Sequence, residues 1–204
     1  MSFLKYLNSH SVTKIQLGCG GNMLAGWLNT DGQCDGWFHP DGVKLDASQT
    51  FPIPDNSFDY VFSEHMIEHL DYWGGQNMLA ESFRIMKPGA RIRVSCPNFQ
   101  FLIDMYTNPE QLHLDYVEQT KPEWAPFPDP IFTFNNYVRD WGHKFIYNKK
   151  ILQLSMAAAG FADITEHVIS ESTDSVLQDL EISSRMPDGF LQLETMTFEA
   201  VKPV

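Results

Sequence analysis

Positive charge is scarce in this chain: 14 Lys and Arg stand against 26 Asp and Glu, a formal net charge of -12. Nucleic-acid partners depend on clustered cations that neutralise phosphates, so DNA and structured RNA are excluded as expected partners, and anionic membranes are poorly matched too. Long apolar runs are also missing. None approaches the ~20 residues needed to span a bilayer, and the opening MSFLKYLNSHSVT has neither a continuous apolar stretch nor a small-residue cleavage site. A cytoplasmic address is the expectation. Cysteine is sparse: Cys19, Cys34 and Cys96 are far apart and lack CxxC spacing, which speaks for reduced thiols over a disulfide or zinc framework. Repeats and low-complexity tracts are absent. What remains is 204 residues, 43% of them hydrophobic, enough to bury a full core within a single domain spanning 1–204.

The chain is organised around KIQLGCGGN, Lys14 to Asn22, where an apolar run breaks into Gly18, Gly20 and Gly21. Glycine is wanted where the backbone takes positive φ or approaches a ligand closely, so a strand ending this way suggests a nucleotide cradle. Trp27 to Asp31 reads as a second strand closed by a carboxylate, the place where an open α/β sheet holds a ribose through two carboxylate oxygens. Roughly six residues separate the glycines from Trp27, against the dozen a parallel crossover usually needs. The first helix is therefore expected to be vestigial or missing.

Val43 to Ala47 reads as a third strand bearing Asp46, and Phe58 to Phe62 as a buried fourth. A helix is expected over Gln76 to Lys87, with Leu79, Phe83 and Met86 on one face and Lys87-Pro88-Gly89 as its stop. Arg91 to Cys96 alternates as a strand, with Ile92, Val94 and Cys96 on one side and Arg91, Arg93 and Ser95 on the other. From Thr107 to Asp140 five prolines lie among Trp124, Phe127, Phe132, Phe134 and Tyr137. This segment reads as a long irregular loop forming an apolar wall over a pocket. Asn148 should cap a helix that Gly160 ends, and Ile164 to Ser170 and Leu191 to Val201 read as terminal strands.

The strand and GCGGN, the acid of GWLNTD, the LDASQTFPIPDNSFDYVFSEHMIEHL block and the helix ending RIMKPGARIRVSCPN occur in order at compatible spacing. Together with AAAGFADI at 157–164, they resemble class I S-adenosylmethionine-dependent methyltransferases. That resemblance implies a Rossmann-like, doubly wound, mostly parallel seven-stranded sheet with a C-terminal antiparallel hairpin and a shortened first crossover. Its cofactor-binding half covers about 14–106, with a substrate-side insertion at about 107–142. It implies S-adenosylmethionine as cofactor, with Gly18 and Gly20 at its methionine end, Asp31 at the ribose, Asp46 and Ala47 at the adenine, and Ser63 nearby. One departure is Gln16, which stands where many relatives carry an acid.

Methyl transfer to a hydroxyl or amine of a small or medium-sized acceptor asks the protein to position a nucleophile and relieve it of a proton. His65, leaving the fourth strand, and His143 are the candidate bases, with His69 and Glu64 behind them. No metal is expected. Three other readings compete: a catalytically silent cofactor-binding module or partner subunit; a zinc hydrolase using the HxxEH of residues 65–69; and a nicotinamide oxidoreductase, weakened because Met23 takes the third glycine position of GxGxxG.

Overall fold

The computed structural model describes residues 3–33 and 42–204; Cys34 lies outside them. Seven strands form one sheet: β1 Lys14–Leu17, β2 Leu28–Asp31, β3 Val43–Lys44, β4 Phe58–Glu64, β5 Met86–Pro97, β6 Ala162–His167 and β7 Thr195–Val201. Their order is β3-β2-β1-β4-β5-β7-β6. The first five run parallel, and β7 pairs antiparallel with both β5 and β6. The direction of strand progression reverses between β1 and β4, and at such a switch point the connections leave the sheet in opposite directions and open a crevice at the carboxyl ends.

Residues 18–27, which join β1 to β2, contain turns but no helix, as the short spacing implied. The helices come later: α1 Phe3–Ser9, α2 Tyr72–Ile85, α3 Phe99–Thr107, α4 Gln111–Gln119, α5 Pro130–Arg139, α6 Lys149–Ala158 and α7 Phe190–Glu194. Helix α2 starts earlier than the apolar periodicity suggests, because the Asp71 side chain accepts from the Gly74 N–H at 2.8 Å and fixes the first turn. It ends before Lys87-Pro88-Gly89, which already belongs to β5. The α6 boundaries follow the Asn148 cap, whose Oδ1 accepts from Ile151 N–H at 2.9 Å.

The region from Thr107 to Asp140 is not an irregular loop. It holds α4 and α5, each begun by a side-chain cap: Glu110 with His113 in a reciprocal box, and Asp129 ahead of Pro130. With α3 and α7 these helices enclose an apolar cluster including Phe101, Met105, Tyr116, Tyr137 and Phe190. The C-terminal run expected as one strand divides, with α7 preceding β7.

The two faces of the sheet are covered differently. One is packed by α1, α2 and α6 through Tyr6, Met78, Leu79, Leu152 and Met156 onto Ile15, Leu17, Val61 and Ile92. The other carries Trp27 and Phe62, met by Leu177 and Leu180 from residues 168–182, a segment without helix or strand. Arg93 points to this second face and is wholly buried. Its guanidinium donates to Glu181 at 2.7 Å, to Glu199 at 2.6 Å and to the Glu171 carbonyl at 2.9 Å. The polar side of the β5 alternation is thus an interior salt-bridge layer that pins a strap across the sheet.

A second polar clamp holds residues 51–55 against α2. Arg84 donates to both oxygens of Glu81 at 2.9 and 2.7 Å, to Asp55 at 2.6 Å, and to the carbonyls of Phe51 and Ile53. The Arg84 hydrogen bonds hold the Glu81 carboxyl below its ordinary range, burial opposing them. A depressed carboxylate contributes stability above its unfolded pKa, roughly 4.3, and loses it as pH falls toward the folded value. Glu81→Gln should therefore lower the urea midpoint by the equivalent of about 1 kcal/mol at pH 7. The two proteins should converge near pH 3, and a gap that persists in acid would contradict this linkage.

Candidate active site

At the carboxyl ends of β1 and β2 the chain turns through Gly18 at φ +68° and Gly20 at φ +47°. Gly18 has no room for a side chain: an added Cβ would stand 2.1 Å from the Met66 Cγ and 2.7 Å from its Cβ. Gly20 faces open space, with nothing within 4 Å of the same probe atom. The turn is tied to β2 by Cys19 N–H donating to the Thr30 carbonyl at 2.9 Å and Gly20 N–H donating to Asp31 Oδ2 at 3.1 Å. The other Asp31 oxygen accepts from Gln33 N–H at 2.9 Å.

These residues form one side of a cleft of about 380 Å³, and Leu45, Asp46, Ala47, His65, Met66 and His69 line the rest. Asp46 folds back on Ser48, whose hydroxyl and N–H bond Oδ1 at 2.7 and 2.9 Å and hold the carboxyl below its ordinary range. Ser63 is instead wholly buried within the sheet, flanked by Leu17 and Val94, and does not line the cleft. Gln16 is also buried, and its Oε1 has no protein partner.

A second cavity, of about 290 Å³, adjoins the cleft. His65, Glu68 and His69 contribute from the end of β4; Tyr116, Tyr137, Trp141 and His143 from the helical insertion; and Arg185, Met186 and Glu194 from the C-terminal region. The HxxEH residues do not share an α-helical face. His65 takes a left-handed φ of +43°, and only Ile67–His69 forms a short 3-10 turn. His143, 75 residues beyond Glu68, is brought in because Lys144 and Phe145 N–H both donate to the Glu68 carbonyl, at 2.8 and 3.1 Å.

Burial dominates the electrostatics here. It pushes His65 well below its ordinary pKa, lowers those of His69 and His143, and pushes Glu68 up to about 8. The contacts of His65 and His69 with Glu68, at 3.6 and 3.9 Å, are longer than hydrogen bonds. His65 Nε2 is 2.8 Å from the Thr195 hydroxyl. Glu194, raised by burial, accepts from the Tyr116 hydroxyl at 2.5 Å and faces Arg185 at 3.9 Å. Glu64 lies outside the cavity, where it accepts from Ile182 N–H at 3.2 Å and Asn22 at 3.4 Å.

Residues 15–94, from β1 into β5, match the model of a family described as a methyltransferase domain. The match covers 80 of the 204 residues and likens that stretch to methyltransferase domains. A curated relative from Mycolicibacterium smegmatis, described as "Probable S-adenosylmethionine-dependent methyltransferase", is 43% identical over 47 residues, 23% of this chain and 18% of its own length. The chain thus matches under a fifth of that relative. Among solved structures, a SAM-dependent methyltransferase from Archaeoglobus fulgidus superposes with a TM-score of 0.55 at 18% identity, over 98% of this chain and 90% of the other. Haemonchus contortus phosphoethanolamine N-methyltransferase 2, crystallised with phosphomonomethylethanolamine and S-adenosylhomocysteine, gives 0.56 at 15% identity, over 100% of this chain and 53% of the other. At these identities the likeness shows the fold.

The cleft suits S-adenosylmethionine, the cofactor that the resemblance implies. Gly20 presents open space where any side chain would intrude, and the Asp31 and Asp46 carboxylates face the same hollow. The buried Gln16 oxygen two residues before Gly18 leaves an acceptor beside the turn. Tyr137 belongs to the aromatic wall expected from the sequence, whereas Tyr116, Arg185 and Glu194 were not singled out by sequence reasoning. Each is an ordinary residue type on a remote element, and nothing local marks it.

Proposed function

We propose that the chain transfers the methyl group of S-adenosylmethionine to a hydroxyl or amine of a small or medium-sized acceptor. One observation carries this reading: His65 and His69 line both cavities, so a cofactor in the glycine-turn cleft and an acceptor among the buried histidines would meet across them. When bound, the cofactor supplies an electrophilic methyl whose leaving group departs neutral, so the protein's work is placement and proton removal.

The Gly18 and Gly20 backbone would hold the methionine end, and Asp46 and Ala47 the adenine. Asp31 spends one lone pair of each oxygen on a backbone N–H and keeps capacity for two vicinal hydroxyls. His65 and His143 are the candidate bases. Both rings are held neutral by burial and are able to accept a proton at pH 7. The Thr195 hydroxyl fixes the His65 ring, and the Tyr137 carbonyl accepts from His143 Nδ1 at 2.6 Å.

Calorimetric titration with S-adenosylmethionine, S-adenosylhomocysteine and NADH tests the reading. The first two should bind in the micromolar range and the third should not. Asp31→Ala should weaken S-adenosylhomocysteine binding roughly tenfold to a hundredfold, the worth of hydrogen bonds to a charged group, with little change in melting temperature. Unchanged affinity would remove Asp31 from the ribose role.

A further inference from the structure

We infer that Glu68, His69 and His143 form a site for one divalent transition-metal ion of the imidazole-preferring kind, set in the acceptor cavity. One ligand atom from each of the three lies within 4.8 Å of the others, and His69 Nε2 is 3.9 Å from Glu68 Oε1. Ligands about 2.1 Å from a common ion stand roughly 3.4 Å apart at tetrahedral angles, so modest side-chain movement closes the set.

Two independent features point to an ion. Glu68 is wholly buried, lines the cavity, and neither of its carboxyl oxygens has a hydrogen-bond partner among the described residues. A buried polar group in that condition costs on the order of 1–3 kcal/mol, which a cation in contact offsets. The His143 imidazole is also oriented as that of a metal-ligating histidine is, with one nitrogen spent on a backbone carbonyl so that the other carries a free lone pair. His143 Nδ1 is held by the Tyr137 carbonyl at 2.6 Å. The Gly142 backbone lies on the Nδ1 side of His69. Its Nε2 is left toward Glu68.

The set differs from the HxxEH reading, since His65 is engaged with Thr195 and His143 takes its place; with His143 on the ion, His65 is the base that remains. Two histidines and one carboxylate leave coordination positions open, and here they open into the cavity beside His65. Resting on the methyl-transfer reading, the acceptor class selected is one that offers oxygen ligands, such as an enol, a phenol or vicinal hydroxyls, in preference to a simple amine.

The test uses the full chain, stripped with chelator and titrated with Co²⁺ alone while visible absorption is followed, with S-adenosylhomocysteine binding measured in parallel. One equivalent should bind with ligand-field bands of nitrogen and oxygen coordination. Glu68→Gln, His69→Ala and His143→Ala should each weaken binding by more than about tenfold. His143 does not line the cofactor cleft, so His143→Ala should keep its S-adenosylhomocysteine affinity; His143→Gln, closer in volume, serves if the alanine variant melts early. Absence of Co²⁺ binding in a chain that binds S-adenosylhomocysteine would overturn the metal site and leave the methyltransferase reading standing. Near-ultraviolet thiolate bands would move the ion to a cysteine and overturn it equally. Triad-dependent Co²⁺ binding without any S-adenosylhomocysteine binding would keep the metal site and overturn the acceptor assignment.

Discussion

Replacing Arg93 with methionine should cost about 3–5 kcal/mol of folding free energy, a large share of the 5–15 kcal/mol that domains possess. Methionine fills much of the arginine volume, so the loss is electrostatic. Glu181 and Glu199, both almost fully buried, would lose the cation that compensates them. The Ser95 hydroxyl at 2.6 Å and Ser170 N–H at 3.0 Å would remain on Glu181, and the Ser172 hydroxyl at 3.1 Å on Glu199, too few to solvate two charges. Adding Glu181→Gln and Glu199→Gln should recover most of the loss, because the cost comes from stranded charge and not from a lost contact. Urea denaturation with an unchanged m-value measures all three proteins. A loss below 1 kcal/mol for Arg93→Met would mean that water reaches this layer.

Gly18→Ala should be far worse than Gly20→Ala, although both glycines take positive φ. At Gly20 the penalty is the backbone strain of a left-handed L-residue, about 1–2 kcal/mol, since an added methyl meets no protein atom. At Gly18 the methyl would also overlap Met66 at both Cβ and Cγ. Cβ is fixed to the backbone, so residues 65 and 66 must shift, and overpacking adds about 1–3 kcal/mol. That shift moves His65, which lines both cavities. Gly18→Ala should therefore lower the melting temperature and weaken S-adenosylhomocysteine more than tenfold, while Gly20→Ala should fold nearly normally and lose affinity alone. Equal stability in the two variants would show that Met66 yields freely.

What could be read from the sequence was what short stretches of chain determine. The glycine turn, the acid closing β2, Asp46 and the missing first helix follow from local residue types and spacing, and Gly18, Gly20, Asp31, Asp46 and Ala47 do gather around one cleft. The insertion misled because proline and aromatic density hid its caps, although Asp129-Pro130 and the spacing of Leu112, Tyr116 and Val117 carried a helical signal. The grouping of Glu68 and His69 with His143 was out of reach, being set by backbone hydrogen bonds between distant segments. Arg93 looked like one more polar residue on a strand, because the strap that buries it is separated from it by 75 residues or more.

The strap has a consequence for biosynthesis. The β5 strand emerges from the ribosome early, but one of its neighbours in the sheet, β7, and Glu199, 106 residues after Arg93, are made much later. Until then the nascent chain holds a half-sheet with an unpaired edge and an uncovered aromatic face at Trp27 and Phe62. Such pairing across long separations is slow to form and exposes adhesive edges meanwhile. The nascent chain should therefore remain a client of holding chaperones until β7 has emerged, and should acquire protease resistance in a single step at that point rather than gradually as it elongates.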